Sequence, residues 1–336
     1  MLNIVGKIFK DNLSVGRLYF YISIVERFER NIHTLFSHGI ALYETALRID
    51  DVYGFFNLKP SFEDGGVLLD GSSKQIRIDC NNLSFKYPNS SNIVLKGVDL
   101  CIKPGEKVAI VGKNGAGKTT LIKLLLRFYR RTDGEIQING TDIDDLKIDS
   151  YYKHVGTLFQ DFGHYGALTV SENIFLGNVN DKFNLKFAKE SAEKADVDEF
   201  VRKYPNKYSQ ILSESYTEGI RPSTGQWQRL AISRLFYRNP WLVIFDEPTA
   251  SIDAEAEYKI FNNIYKFFEN KTVIIISHRF STVRNADRII LIDDGKIAEQ
   301  GSHDELLALD GRYAKAFKLQ AEGYGVSKND EQNEVV

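Results

Sequence analysis

Residues Gly112 to Thr119 read GKNGAGKT and fit the pattern G-x-x-x-x-G-K-[ST]. The chemistry served by that spacing is the cradling of a polyphosphate. Gly112, Gly115 and Gly117 let the backbone curl closely around an anion, with Asn114 inside the loop. Successive N–H groups and the positive end of a following helix then face phosphate oxygens. Lys118 reaches the outer phosphates, the Thr119 hydroxyl is placed for Mg²⁺, and Thr120 follows it. A bare glycine turn has no use for Lys-Thr at these positions. A second group lies much further along, where the apolar run Leu242 to Phe245 ends in Asp246-Glu247. Carboxylates at the C-terminal end of a buried strand lie where open α/β sheets bind their ligands. Asp246 suits the shell of Mg²⁺, and Glu247 suits polarising an attacking water in phosphoryl transfer.

The elements that must hold these groups are legible on either side of them. Lys107 to Val111 is short, apolar and β-prone, and Thr120 to Leu126 continues at helical spacing, so the glycines fall at a strand-to-helix turn. Gln75 to Cys80 and Val94 to Leu100 read as strands, and about 161 to 240 reads as mainly helical. Trp241 to Phe245 and Thr272 to Ile276 are continuous apolar runs, as expected of a sheet covered on both faces by helices. Ser223 and Gln226 have the spacing of a capping box, so a helix N-terminus that can point at phosphate is expected there. Upstream, Val25, Phe28, Ile32, Leu35, Gly39, Leu42, Ala46, Ile49 and Tyr53 form the narrow seam of a long amphipathic helix. Such a seam without a neighbouring core calls for another helix as its partner. Pro60 and Glu63-Asp64-Gly65-Gly66 end that helix, which divides the chain into residues 1–60, a linker at 61–75, a nucleotide-binding region at 76–320 and a polar, disordered tail at 321–336.

From about residue 75 to 320 the order of these segments resembles the nucleotide-binding domain of ATP-binding cassette (ABC) transporters. That resemblance implies a P-loop NTPase fold of class α/β: a RecA-like mixed sheet core, an antiparallel β-subdomain and a helical subdomain at about 161–240. It makes Gly112 to Thr119 the Walker A loop, Leu242 to Asp246 the Walker B strand and Glu247 the catalytic glutamate. Gln160 is similar to the Q-loop glutamine that touches Mg²⁺ and senses the membrane subunit, and Tyr87 to the aromatic that stacks on adenine. Ser251-Ile252-Asp253 is similar to the D-loop, and His278 to the switch histidine near the γ-phosphate. Ser223-Thr224-Gly225-Gln226 resembles the signature motif L-S-G-G-Q, but Pro222 replaces its leucine and Thr224 its first glycine. If that position needs a positive φ, threonine is strained by about 1–3 kcal/mol; if its φ is negative, the cost is small. Thr217-Glu218-Gly219 is a weaker match to the T-E-x-G stretch of exporters.

By the same resemblance two cassettes sandwich two ATP molecules head to tail, with the signature of one completing the site of the other. A homodimer is the expected arrangement, at the cytoplasmic face of the membrane. Gly16 to Leu58 resembles the last transmembrane helix, with its cytoplasmic extension, of exporters that fuse both domains. The other membrane helices then belong either to a longer form of the same polypeptide, which is favoured because a separate cassette has no use for a leftover helix, or to separate subunits. Gly225 to Arg229 and Gln160-Asp161-Phe162 look like the branch that exports lantibiotics and other peptides.

Composition bounds the alternatives. The chain has 336 residues, 43% hydrophobic and 26% charged, with a formal net charge of −2, so it can bury a large core and lacks the basic field of a nucleic-acid binder. Cys80, Cys101 and the six histidines show no metal-ligand spacing, which favours a reducing compartment and no structural metal. The longest apolar stretch near the N-terminus, Leu18 to Val25, is eight residues, whereas a bilayer span needs about 20, so the chain by itself is not expected to cross a membrane. No signal-peptide pattern or internal repeat is visible. A soluble ABC protein of translation or repair would carry two cassettes or a long coiled-coil insertion. A non-catalytic, ATP-binding remnant is the remaining competitor: Thr224 favours it, and intact Lys118, Glu247 and His278 oppose it.

Overall fold

The structure is a computed structural model that describes residues 15–58, 64–69, 74–247, 254–277 and 283–323. It divides into two compact units, residues 1–63 and 64–336. The first unit contains helix α1 (Val15–Phe56), 42 residues long. Its seam residues Val25, Phe28, Ile32, Leu35, Leu42, Ile49 and Tyr53 are all exposed. Charged residues such as Glu26, Arg27, Glu29 and Arg30 interrupt its apolar character, and no helix among the described residues is long and apolar enough to cross a membrane.

The second unit contains two sheets. Strands β1 (Ile78–Lys86), β2 (Ile93–Ile102), β4 (Asp133–Ile138) and β5 (Thr141–Asp142) form an antiparallel sheet in the order β2-β1-β4-β5. The other sheet has the order β10-β9-β3-β8-β7-β6 and is built from β3 (Lys107–Val111), β6 (Val155–Leu158), β7 (Leu242–Asp246), β8 (Thr272–Ile276), β9 (Arg288–Asp293) and β10 (Lys296–Gly301). Its strands pair in parallel except for β10 on β9, which makes it the mixed sheet expected of a P-loop core.

The strand expected at 75–80 begins later and runs further. β1 starts at Ile78 and continues through Asn81-Asn82 to Lys86. Asn82 adopts φ 47° and the register shifts between Cys80 and Leu83, so a bulge breaks the two-residue alternation that a sequence pattern relies on. The segment between β6 and β7 is less helical than expected. It holds four α-helices, α4 (Val170–Phe175), α5 (Leu185–Lys194), α6 (Asp198–Val201) and α7 (Thr224–Arg238), and one 3-10 turn (Lys207–Ser209), separated by loops. Thr169, Asn184 and Ser223 cap three of these and fix their starts.

The remaining helices are α2 (Lys118–Leu125), α3 (Ile148–Lys153), α8 (Ala254–Phe267), α9 (His303–Ala308) and α10 (Arg312–Gly323). α10 carries the helical backbone to Gly323, into the stretch expected as tail, and a glycine at its end suits termination. Residues 324–336 lie outside the described residues.

The period of two along the strands divides the core. Val108, Ile110, Ile244, Ile274, Ile276 and Ile290 face α2 and the inner side of the antiparallel sheet. Val243, Phe245, Val273 and Ile275 face α7 and α8, while Ala109, Val111, Ile289 and Leu291 face Leu306 and Tyr313. The sheet is therefore covered on both faces, as its uninterrupted apolar strands require. Residues 64–69, placed in the linker by sequence, are hydrogen-bonded into this unit. Asp64 accepts from the Ile148 amide at 2.7 Å, and Val67 bonds with Asp145 and Lys147.

Candidate nucleotide site

The glycine loop leaves β3 and enters α2, the strand-to-helix turn expected from sequence. Two of its glycines are obligatory for steric reasons. At Gly112, with φ 152°, a Cβ would stand 2.2 Å from the Ile292 carbonyl oxygen. Gly117 is the N-cap of α2 in the left-handed region, φ 107°, and a Cβ there would lie 2.7 Å from Leu95 Cδ2. The loop is thus pressed against β9 on one side and β2 on the other.

Lys118 is buried, and its Nζ donates to the Gly112 and Lys113 carbonyls at 2.8 and 3.0 Å. Burial lowers its pKa, an effect opposed by the nearby Glu247 and Asp246 carboxylates. An anionic phosphate in the loop would offer this ammonium group a better partner than neutral carbonyls. The Thr119 hydroxyl donates to Asp246 Oδ1 at 3.4 Å. Asp246 ends β7 almost fully buried, and burial is the main reason its carboxyl pKa is raised, with Glu247 adding to it and the Thr119 hydrogen bond and Lys118 opposing. Thr119, Asp246 and Gln160 supply hard oxygen donors of the kind Mg²⁺ takes. A cation there would offset the desolvation that burdens Asp246.

Glu247 follows directly with φ 51°, and its amide donates to the Ile276 carbonyl at 2.9 Å. A left-handed conformation at a glutamate costs on the order of 1–3 kcal/mol, the kind of strain held where function fixes the geometry. Tyr87 follows β1, and its hydroxyl shares a 2.9 Å hydrogen bond with Thr120 Oγ1. Phe85 and Tyr129 pack edge-on or tilted against one another and against Tyr87, and Lys123 Nζ lies 5.9 Å from the Tyr87 ring centre.

A cavity of about 560 Å³ is lined by Tyr87, Val94, Asn114, Gly115, Gly117, Lys118, Thr119, Thr120, Gln160 and Glu247. Apart from Val94, every one of these residues was expected at the site from sequence. Val94 carries no motif, and its place follows only from the pairing of β2 behind the loop. Ser223, Gly225 and Gln226 are not among the lining residues. They open α7, where Ser223 Oγ accepts from the Gln226 amide at 3.3 Å and Gln226 Oε1 accepts from the Ser223 amide at 2.9 Å. Thr224 is the first residue of α7, exposed, with φ outside the left-handed region. Of the two backbone cases, the structure takes the one with little strain. Asp253 and His278 lie outside the described residues.

A glycine loop between a central parallel strand and a helix, with a buried aspartate at the end of β7, one strand removed from β3 across β8, defines a P-loop nucleotide-binding domain. Residues 95–250 match the ABC transporter family model, so the chain carries a domain of that family. It is 34% identical over 313 residues to the subtilin transport ATP-binding protein SpaT of Bacillus subtilis, covering 91% of this chain and 50% of that protein. It is 32% identical over 311 residues to an ATP-dependent lipid A-core flippase of Aromatoleum aromaticum, covering 93% and 51%. Among solved structures, a bacterial Atm1-family ABC exporter with ATP bound superposes with a TM-score of 0.74 at 30% identity, over 83% of this chain and 48% of that one. The chain thus spans about half the length of these relatives.

Proposed function

We propose that this chain is the ATP-binding and ATP-hydrolysing part of an ABC exporter. The observation that carries the reading is the single cavity that gathers Tyr87, the phosphate loop, Gln160 and Glu247. There Tyr87 would stack on the base and the loop amides and Lys118 would hold the phosphates, while Thr119 and Gln160, with Asp246 beside Thr119, would hold Mg²⁺, which would supply charge neutralisation for the phosphates. Glu247 would polarise the attacking water, and the resemblance assigns His278, outside the described residues, the role of γ-phosphate partner. Ser223, Gly225, Gln226 and Asp253 serve the site of a second cassette, most simply an identical chain, and the place of the described residues Ser223, Gly225 and Gln226 outside the cavity lining supports that division of labour.

A groove beside Gln160, with a volume of about 290 Å³ and lined by Phe159, Asp161, Phe162, Tyr165, Arg234 and Arg238 among others, gives membrane-spanning helices a place to receive the motion. Residues 1–60 are then the end of a transmembrane domain, 61–75 a linker whose residues 64–69 are already bonded onto the cassette, and 76–320 the cassette, at the cytoplasmic face of the membrane. A peptide cargo is supported by the likeness to SpaT and by the run Gly225 to Arg229.

The test is the mass in solution of the Glu247→Gln protein by light scattering, with and without ATP and Mg²⁺. An ATP-dependent shift from monomer to dimer is expected, and Lys118→Ala should abolish both nucleotide binding and the shift. Nucleotide binding without any dimer would count against self-pairing, and no binding at all would defeat the reading.

A further inference from the structure

Between Gln160 and α4 runs a loop whose contacts with α7 serve no phosphate and no metal. His164 stacks on Trp227 in the first turn of α7, with ring centres 4.9 Å apart and planes 14° from parallel. Seven residues further along α7, two turns on and so on the same side, Arg234 grips the same loop. Its Nη1 donates to the Gly163 carbonyl at 2.9 Å, its Nε to the Asn173 carbonyl at 3.1 Å and its Nη2 to Asn173 Oδ1 at 3.0 Å. The guanidinium also lies 4.9 Å from the Tyr165 ring centre. Fully buried Asn173 completes the grip by donating to the Tyr165, Leu168 and Thr169 carbonyls at 3.0, 3.3 and 3.0 Å.

We propose that the His164–Trp227 stack and the Arg234–Asn173 fork clamp the Gln160 loop to α7, so that the loop and the Ser223–Gln226 end of that helix move as one body. His164 and Arg234 are positioning residues in this scheme. Gln160 lines the nucleotide cavity of its own chain, Ser223 to Gln226 lie outside that lining, and the clamp relays the state of the first to the second. The far end of α7 supplies the pivot. Arg238 donates to the Val155 carbonyl of β6 at 2.7 Å, to the Gly177 carbonyl at 3.1 Å and to the Tyr152 carbonyl. The chemistry suits a rigid link: burial holds the His164 pKa below the usual histidine value, with Arg234 and Arg221 adding to that effect and Asp161 opposing it, so a neutral ring faces the indole near pH 7. Arg234, drawn down to about 10 chiefly by burial, stays protonated and binds planar carbonyls in a fork that lysine cannot reproduce.

The proposal rests on the nucleotide-binding reading above, and its test separates the two. The full chain carrying Trp241→Phe leaves Trp227 as the sole tryptophan. Its emission and its quenching by acrylamide are measured with and without Mg²⁺ and a non-hydrolysable ATP analogue, and nucleotide affinity is measured separately by calorimetry. Arg234→Gln and Arg234→Lys should free Trp227 to the same extent as His164→Ala, even though the Arg234 hydrogen bonds go to Gly163 and Asn173. The nucleotide-induced change in emission should be present in the parent and lost in Gln160→Ala, His164→Ala and both Arg234 variants. The calorimetric Kd of the clamp variants should stay within about threefold of the parent. Arg234→Lys keeps the charge and guards against loss of fold, which melting curves monitor. If both Arg234 variants leave Trp227 as it is in the parent, or keep the nucleotide response, the clamp is wrong. Calorimetric binding with no emission change in the parent also overturns it while leaving the nucleotide site standing. Absence of calorimetric binding removes the nucleotide reading and the clamp together.

Discussion

Thr224 is where a family pattern and this chain part company, and its backbone decides what that means. It opens α7 with φ outside the left-handed region, so glycine would relieve no strain there. Thr224→Gly should therefore lower stability by about 0.5–1 kcal/mol through the greater freedom of the unfolded chain. Denaturant unfolding checks this, and a gain in stability would show that the threonine is strained after all. His154 makes a second residue-scale case. Its ring stacks on Trp241 with centres 3.4 Å apart, and burial first, then Lys153, Arg238 and Lys271, hold its pKa down to about 4. The unfolded chain takes up a proton near pH 6.5 that the folded ring refuses until about pH 4. Stability from this group is therefore complete above about 6.5, declines as pH falls between those values, and declines no further below about 4. His154→Phe keeps a ring on Trp241 but cannot titrate. Between pH 7 and 4 the melting temperature of the parent should fall more than that of the variant, and parallel curves would dismiss the effect.

At the scale of elements, one hydroxyl joins β8 to the chain entering β1. Thr272, fully buried, accepts from the Ile76 and Gly105 amides at 3.3 and 3.1 Å and donates to the Ile76 carbonyl at 2.5 Å. Thr272→Val keeps the shape and strand propensity but strands these groups in the core, at a cost of about 3 kcal/mol. Thr272→Ser keeps the hydroxyl and should lose only about 1 kcal/mol for the methyl. Equal losses in chemical denaturation would mean that packing, not the bonds, matters at this position. Nothing around Thr272 announces this in the sequence, because its partners are 196 and 167 residues away. The strands β3, β7 and β8 were legible because each is a continuous apolar run that needs no partner to be recognised. The capping box at Ser223 and Gln226 was legible because its chemistry is local. β1 was misplaced because its bulge at Asn81-Asn82 is set by cross-strand pairing with β2 and β4. Val94 at the site and the left-handed φ of Glu247 were invisible because neither has a local signal: Val94 lines the cavity through strand pairing, and the Glu247 amide is bonded to Ile276, distant in sequence.

For the molecule as a whole, the division of the apolar residues separates two kinds of stability. Among the described residues, all three buried clusters draw their members from Leu69 onward. The seam of α1, in contrast, keeps large apolar side chains such as Phe28, Leu35, Leu42 and Tyr53 exposed. A helix of this kind gains little stability from its own hydrogen bonds in water and needs an apolar partner to persist. Its exposed row is also a liability for non-specific association. A protein beginning at Asp64 should therefore melt within about 3 °C of the full chain, because it retains every cluster found among the described residues. Asp64 itself should be kept, since it accepts from the Ile148 amide and lies 3.8 Å from the buried Arg127 guanidinium. Light scattering should show the shortened protein less prone to self-association than the full chain. A melting temperature lower by 10 °C or so would mean that α1 contributes a substantial part of the folded protein's stability, and the two-unit description would have to be abandoned.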